Sequence, residues 1–163
     1  MTGVSVMEFK WLSKISHRSA LFKSFLKKLP EISASTRWGV KGLFYYMTHD
    51  GFDCLLCIEG NRFVGCLAIE KDPRENILKS WLVYTDPAMR QKGYARTLTA
   101  EAAKFAQSEG FKSAKFGGGL GAGSRVLASV QRKRKQLGLR GFKFDPKTGI
   151  VTFPRKRRGK KPL

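Results

Sequence analysis

Acidic side chains are almost missing from one end of this chain. Between residues 111 and 163 the only carboxylate is Asp145, set among 16 lysines and arginines, whereas residues 1–110 hold 16 cations and 11 acids. The balance is +5 in the first stretch and +15 in the second. So lopsided a charge excludes a cationic partner for the last third and predicts a polyanion, RNA or DNA. Long apolar runs are missing too. The longest, Cys54 to Ile58 and Phe63 to Ile69, are strand-sized, far short of the roughly 18 residues of a membrane span. The opening MTGVSVMEFKWLSKI lacks a basic start, an apolar block and a small-residue cleavage site. The expectation is an intracellular protein without a membrane role, cytoplasmic or nucleoid-associated, with a virion also compatible. Cysteine is scarce and odd in number, three in all, which argues against a disulfide framework and fits a reducing compartment. The two histidines, His17 and His49, lie too far apart to propose a metal site.

What is present reads as one domain. A chain of 163 residues with 42% apolar content and twelve phenylalanines can bury roughly 70% of its unfolded surface unaided. The expected organisation is a single domain over residues 1–153 with a basic tail over 154–163. Ser16 to Leu29 carries Leu21, Phe22, Phe25, Leu26 and Leu29 at helical spacing, and Pro30 is expected to end that helix. Leu43 to Met47 reads as a short strand. DCLLCI and RFVGCLAIE flank Gly60-Asn61 as a buried hairpin, and Ile77 to Thr85 is a third strand. After Gly93, Ala95, Leu98, Ala102, Phe105 and Ala106 recur at helical spacing until Gly110. Phe111 to Phe116 alternates as a strand, GGGLGAG leads into a helix over about Ser124 to Leu137, and GFKF with IVTF forms a second hairpin. The expected order is strand, helix, three antiparallel strands, helix, strand, helix, two strands.

The stretch DPAMRQKGYARTL, Asp86 to Leu98, joins a strand to a helix and sets a glycine among Arg90, Lys92 and Arg96. A helix's first turn offers backbone N–H groups without internal partners and a partial positive charge, so an anion docks there. Gly93, lacking a Cβ, gives a diphosphate access to the backbone, and the cations add field. Here the sequence resembles the GCN5-related N-acetyltransferase family. That family's acetyl-CoA signature, Arg or Gln, two residues, Gly, one residue, then Gly or Ala, is matched by Arg90-Gln91-Lys92-Gly93-Tyr94-Ala95. Its lead-in, an apolar strand with a proline three residues before the arginine, is matched by WLVYTDPAMR. Specific similarity covers about residues 50–116, and the order of elements resembles the fold throughout.

The resemblance implies an α/β (α+β) fold with a mixed central sheet of about six to seven strands flanked by three to four helices. It implies acetyl-CoA as cofactor. Leu82, Val83, Tyr84 and Thr85 would splay from the neighbouring strand after Ala114 and face the pantetheine arm. Arg90, Gln91, Lys92, Gly93, Tyr94, Ala95 and Arg96 would cradle the diphosphate, and Ser124 would take the place of a cofactor-touching asparagine. The family often protonates the departing thiolate with a tyrosine on the last helix, and Ser124 to Leu137 contains none. Transfer to an amine requires the neutral amine, with a lysine-like reference pKa of about 10.4. Glu70 and Glu75, at the edge beside the expected acceptor site, are the candidate general bases, and His49 is a third candidate.

Other motifs carry less. Gly123-Ser124-Arg125 lacks the Gly-Lys-Ser/Thr ending of a nucleotide-binding loop, and the dinucleotide fingerprint meets Ser124 at its third glycine. Cys54 and Cys57 have CxxC spacing but sit on a strand, where residues three apart face opposite sides, so they read as core thiols. Arg132, Lys133, Arg134 and Lys135, with Arg155, Lys156, Arg157, Arg158, Lys160 and Lys161, would neutralise many phosphates. Engaging about six gives a salt slope near −5. Two functions follow: an acetyl-CoA-dependent N-acetyltransferase acting on an amine in a nucleic-acid setting (RNA, a tRNA-linked amine or a nucleic-acid-binding protein), or a catalytically silent relative that binds nucleic acid or joins a nucleoprotein or virion assembly.

Overall fold

The computed structural model describes residues 7–117 and 122–154. Seven strands form one sheet in the order β1-β2-β3-β4-β5-β7-β6. The elements are β1 (Met7–Trp11), α1 (Ala20–Ala34), α2 (Val40–Thr48), β2 (Phe52–Glu59), β3 (Arg62–Asp72), β4 (Ile77–Thr85), α3 (Tyr94–Ser108), β5 (Ser113–Lys115), α4 (Ala122–Arg132), β6 (Lys143–Phe144) and β7 (Ile150–Thr152). Strands β1 to β4 form an antiparallel meander, β4 pairs parallel with β5, and β7 returns antiparallel beside β5. This is the mixed sheet expected from the sequence.

The β2–β3 hairpin turns on Gly60 (φ 55°) and Asn61 (φ 65°), two left-handed residues whose twist matches that of the strands they join. Both strands are buried on both faces. Cys54, Leu56 and Ile58 pack toward α1 and α2, while Leu55 and Cys57 pack toward α3 and α4. The CxxC pair is therefore split between two cores, and burial pushes both thiols up, Cys57 to about 12. Two helical layers thus cover a sheet with apolar residues on each side.

Four local expectations are corrected. Pro30 does not end the first helix, which continues to Ala34. Leu29 and Ile32 are both buried and draw the next turn onto the sheet, while Pro30 and Leu26 lie on the exposed side, where water takes the carbonyl that proline leaves without a donor. Leu43 to Met47 is helical, not a strand, and adds an element to the expected order. Its aromatic content suggests a strand, but Leu43 and Met47, four apart, are the two residues fully buried. The last helix stops at Arg132 rather than near Leu137. Beyond it Leu139 is completely buried and its N–H bonds to the Arg134 carbonyl at 2.7 Å, so burial of that leucine turns the chain out of the helix. Arg132 to Lys135 consequently lies at a helix end and in turns, with Arg132, Lys133 and Lys135 exposed and Arg134 half-buried. The strand expected over Phe111 to Phe116 is confined to Ser113–Lys115.

Candidate active site

Strand β4 has a different neighbour along each half. Its parallel pairing with β5 runs through Ile77–Ser113, Leu78–Ala114 and Lys79–Lys115 and then ends. On the β3 side the register skips a residue: Ile69 pairs with Ser80 and Ala68 with Leu82, leaving Trp81 as a bulge. A bulge bends its strand, and this one falls two residues after the last β4–β5 pair. From Ser80 to Thr85 the β5-facing edge of β4 is open. A cavity of about 800 Å³ fills the gap, lined by residues 80–85 of β4, the segment that opens α3, and Arg125, Val126, Leu127 and Ser129 of α4.

Beyond β4 the chain makes a tight descent to α3. Asp86 caps a short 3₁₀ turn, Pro87–Met89, by accepting from the Ala88 N–H at 3.0 Å. Its other oxygen lies 3.1 Å from Lys28 Nζ of α1 and 3.8 Å from Arg62. Burial opposes the Asp86 charge, but the Ala88 amide, Lys28 and Arg62 outweigh it and hold the carboxyl below the usual carboxylate range. Arg90 Nε donates to the Thr85 carbonyl at 3.2 Å, fixing the arginine beside the open edge.

Gln91 (φ 66°) and Gly93 (φ 84°) then place two left-handed residues before α3. Gly93 occupies the N-cap position and provides no side-chain cap, and no acid lies in the first turn, so the opening amides remain available to an anion. A Cβ at Gly93 would stand 2.8 Å from Arg96 Nη2. The Arg96 guanidinium leans toward α4, where Nη1 donates to Ser129 Oγ at 3.1 Å, and its buried Nε has no partner among the described residues. An unpartnered buried guanidinium N–H beside an uncapped helix start fits an anionic group such as a diphosphate.

Two tyrosines of this wall are held neutral. Burial, followed by a 3.0 Å hydrogen bond from its hydroxyl to Glu31, pushes Tyr84 up to about 12. The Tyr94 hydroxyl donates to Glu59, which with burial raises it to about 12.

Most of the sequence-designated cofactor residues converge. Leu82, Val83, Tyr84, Thr85, Arg90, Gln91, Gly93, Tyr94, Ala95 and Arg96 line the cavity, whereas Lys92 and Ser124 do not. The candidate bases lie elsewhere. Glu70 sits opposite Lys79 across the β3–β4 ladder, and Glu75, in the turn before β4, has its carboxylate 3.8 Å from the same lysine. The Lys79 ammonium is raised by its 3.0 Å bond to Asp72 and further by Glu75 and Glu70. Neither glutamate lines the cavity. His49 is exposed and stacks on Tyr45 at 4.4 Å. Among the described residues no group of three metal-ligating side chains occurs, and no helix is long and apolar enough to cross a membrane. The tail cations Arg155 to Lys161 lie outside the described residues.

Residues missed from the sequence include Trp81, Arg125 and Ser129. Arg125 and Ser129 stand four apart on α4, a spacing that puts them on one face beside the buried Leu127 and Val130. That signal was readable. The Trp81 bulge was not, since it depends on where β3 and β5 pair.

Residues 19–117 match the acetyltransferase (GNAT) family. The chain belongs to that family, whose members generally use acetyl-CoA. Solved structures agree on the fold. Tetrahymena GCN5 superposes with a TM-score of 0.59 at 8% identity, covering 90% of this chain and 94% of that one. An acetyltransferase for IAA from Bacillus cereus gives 0.56 at 13% identity, covering 86% and 79%. An aminoglycoside acetyltransferase from an uncultured soil sample gives 0.55 at 17%, covering 79% and 90%. No curated protein sequence matches.

Proposed function

We propose that this chain is an acetyl-CoA-dependent N-acetyltransferase that works on an amine in a nucleic-acid-associated setting. The observation that carries the reading is the continuity of one cavity from the open edge of β4 to the uncapped start of α3. Residues 82–85 would meet the pantetheine arm with backbone groups that β5 does not pair. The first-turn amides with Arg90 and Arg96 would hold the diphosphate, and Arg125 would add charge from α4. When bound, the cofactor supplies a thioester activated for transfer to nitrogen. The chain itself aligns the amine against that edge and shields it from water. No carboxylate lines the cavity among the described residues; Glu31 is connected to it through the Tyr84 hydroxyl, a route by which a proton can leave toward solvent.

The nucleic-acid part rests on the charge of residues 111–163, 16 cations against Asp145. In this reading residues 1–153 form one domain and 154–163 a basic tail. Calorimetric titration with acetyl-CoA, followed by thiol release with an amine panel, tests the assignment: binding in the micromolar range and amine-dependent release are expected. A second reading, a silent GNAT-fold protein that binds nucleic acid, is favoured by the absence of tyrosine from residues 122–137. Nucleic-acid binding with neither cofactor binding nor turnover would select it.

A further inference from the structure

The cavity has two chemically different ends. One is the arginine end described above. At the other Trp81, bulged from β4, lines the wall together with Ser80, Leu82 and Ser35 at the end of α1. Trp81 does not stand alone. Trp38, in the connection between α1 and α2, meets it edge-on at 6.4 Å between ring centres, and Tyr46 of α2 does so at 6.5 Å. Trp38 and Tyr46 lie 4.7 Å apart, and Phe52 closes on Tyr46 at 5.4 Å. Trp38 is nonetheless 44% exposed, so this aromatic wall runs from the cavity to the surface rather than into the core.

Within it the Trp81 indole N–H is buried and has no hydrogen-bond partner among the described residues. A buried indole N–H usually finds an acceptor. Trp81 itself lines the cavity, so the missing acceptor is one that a ligand entering there would supply. Electrostatics narrows the ligand further. Among the described residues Arg90, Arg96 and Arg125 line the cavity and no carboxylate does. The diphosphate takes up the arginines at the far end, so what acts on the amine is the apolar wall and the lack of a facing carboxylate, which disfavour an ammonium ion and lower an amine's pKa. An α-amine, with a reference pKa of about 7.7–8.0, therefore reaches the neutral form far more readily than a lysine-like amine near 10.4, a difference of roughly 250-fold or more in neutral fraction near pH 7.

We propose that the acceptor is an α-amine next to a carbonyl and carrying an aromatic side chain, its ring packed on Trp38 and Trp81 and its carbonyl oxygen accepting from the Trp81 indole N–H. The inference rests on the transferase reading and specifies its acceptor. In the transfer step the amine nitrogen forms the amide bond as the carbon–sulfur bond of the thioester breaks, the amine loses one proton, and the thiolate leaves as CoA and takes one up.

The test uses the full chain with acetyl-CoA and phenylalaninamide, tryptophanamide, leucinamide, glycinamide, spermidine and an aminoglycoside, read by thiol release and mass spectrometry. The aromatic amides are expected to exceed glycinamide and spermidine at least tenfold in kcat/KM. Trp81→Phe, which keeps a ring and removes the N–H, should raise KM for phenylalaninamide several-fold with little change in kcat, and Trp38→Ala should erase the preference over leucinamide. Turnover of spermidine, the aminoglycoside or glycinamide as well as the aromatic amides overturns the inference and leaves the transferase reading intact. If no amine is turned over, the transferase reading fails, and quenching of tryptophan fluorescence by phenylalaninamide, lost in Trp38→Ala, still decides whether the aromatic site exists. Absence of that quenching overturns the inference as well.

Discussion

The two halves of the sheet on either side of β4 are built differently. From β1 to β4 the strands are five to eleven residues long, antiparallel and paired along most of their length, with a register shift in the β2–β3 ladder and the Trp81 bulge in β3–β4. From β5 to β7 they are two or three residues long, and three parallel pairs tie them to β4. The long half has a core on each face. The short half is too brief to cover the rest of β4, and the uncovered length becomes the cavity wall. An opening of this kind needs no missing core: it follows from one strand being shorter than its neighbour and from a bulge that bends the longer one away. Stability and ligand binding should therefore separate, with changes in the long half costing fold and changes at the seam costing cofactor.

The largest effect is expected at the strut between α1 and the end of the long half. Asp86→Ala removes the buried partner of the half-buried Lys28 and uncaps the turn after β4. Loss of the cap together with a charge-assisted bond to a half-buried lysine costs about 2–3 kcal/mol, readable in urea denaturation. The pH dependence has a defined sign. Because the folded-state pKa of Asp86 is depressed, its contribution is present above the ordinary carboxylate value and is lost as pH falls through the folded one. Wild-type stability should drop below about pH 4, and Asp86→Asn should flatten that drop. An unchanged acid profile would remove the strut from the account.

Next comes the seam itself. Arg90→Ala combined with Arg96→Ala should weaken acetyl-CoA binding roughly 100-fold, at about 1.4 kcal/mol for each charge-assisted contact, with melting temperature nearly unchanged. Gly65→Ala is expected to cost about 1–3 kcal/mol of stability, since its Cβ would stand 2.7 Å from the backbone carbonyl of Tyr84 on the neighbouring strand. A large binding defect without that stability loss would contradict the separation. The smallest effect belongs to the tail. Removing residues 155–163 should leave acetyl-CoA affinity within twofold while lowering the salt slope of RNA binding by about half; an unaltered slope would leave Arg132 to Lys135 as the polyanion contact.

Much of this site was legible in the sequence because it is local. The turn from Asp86 to Arg96 is contiguous, and its glycine, proline and cations each state a backbone requirement that the structure meets at φ 84° for Gly93. The Gly60-Asn61 hairpin was legible for the same reason. What the sequence hid is non-local. Pro30 inside α1 is tolerated because Ile32 has a sheet to pack against. The aromatic run of α2 is helical because only Leu43 and Met47 face inward. Glu70 and Glu75 looked free in the sequence, yet both face Lys79, which is hydrogen-bonded to Asp72. The aromatic wall joins Trp38, Tyr46 and Trp81 from three separate segments, and no spacing within one segment announces it.

The central claim, that the glycine turn before α3 receives a diphosphate, is tested most directly by calorimetric titration of wild type and Gly93→Val with acetyl-CoA and with CoA. Both ligands should bind wild type with similar affinity, since they share the diphosphate. The valine, which must fill the space next to Arg96 at a left-handed position, should weaken both at least tenfold. Undiminished binding in the variant, or no binding in wild type, would contradict the claim.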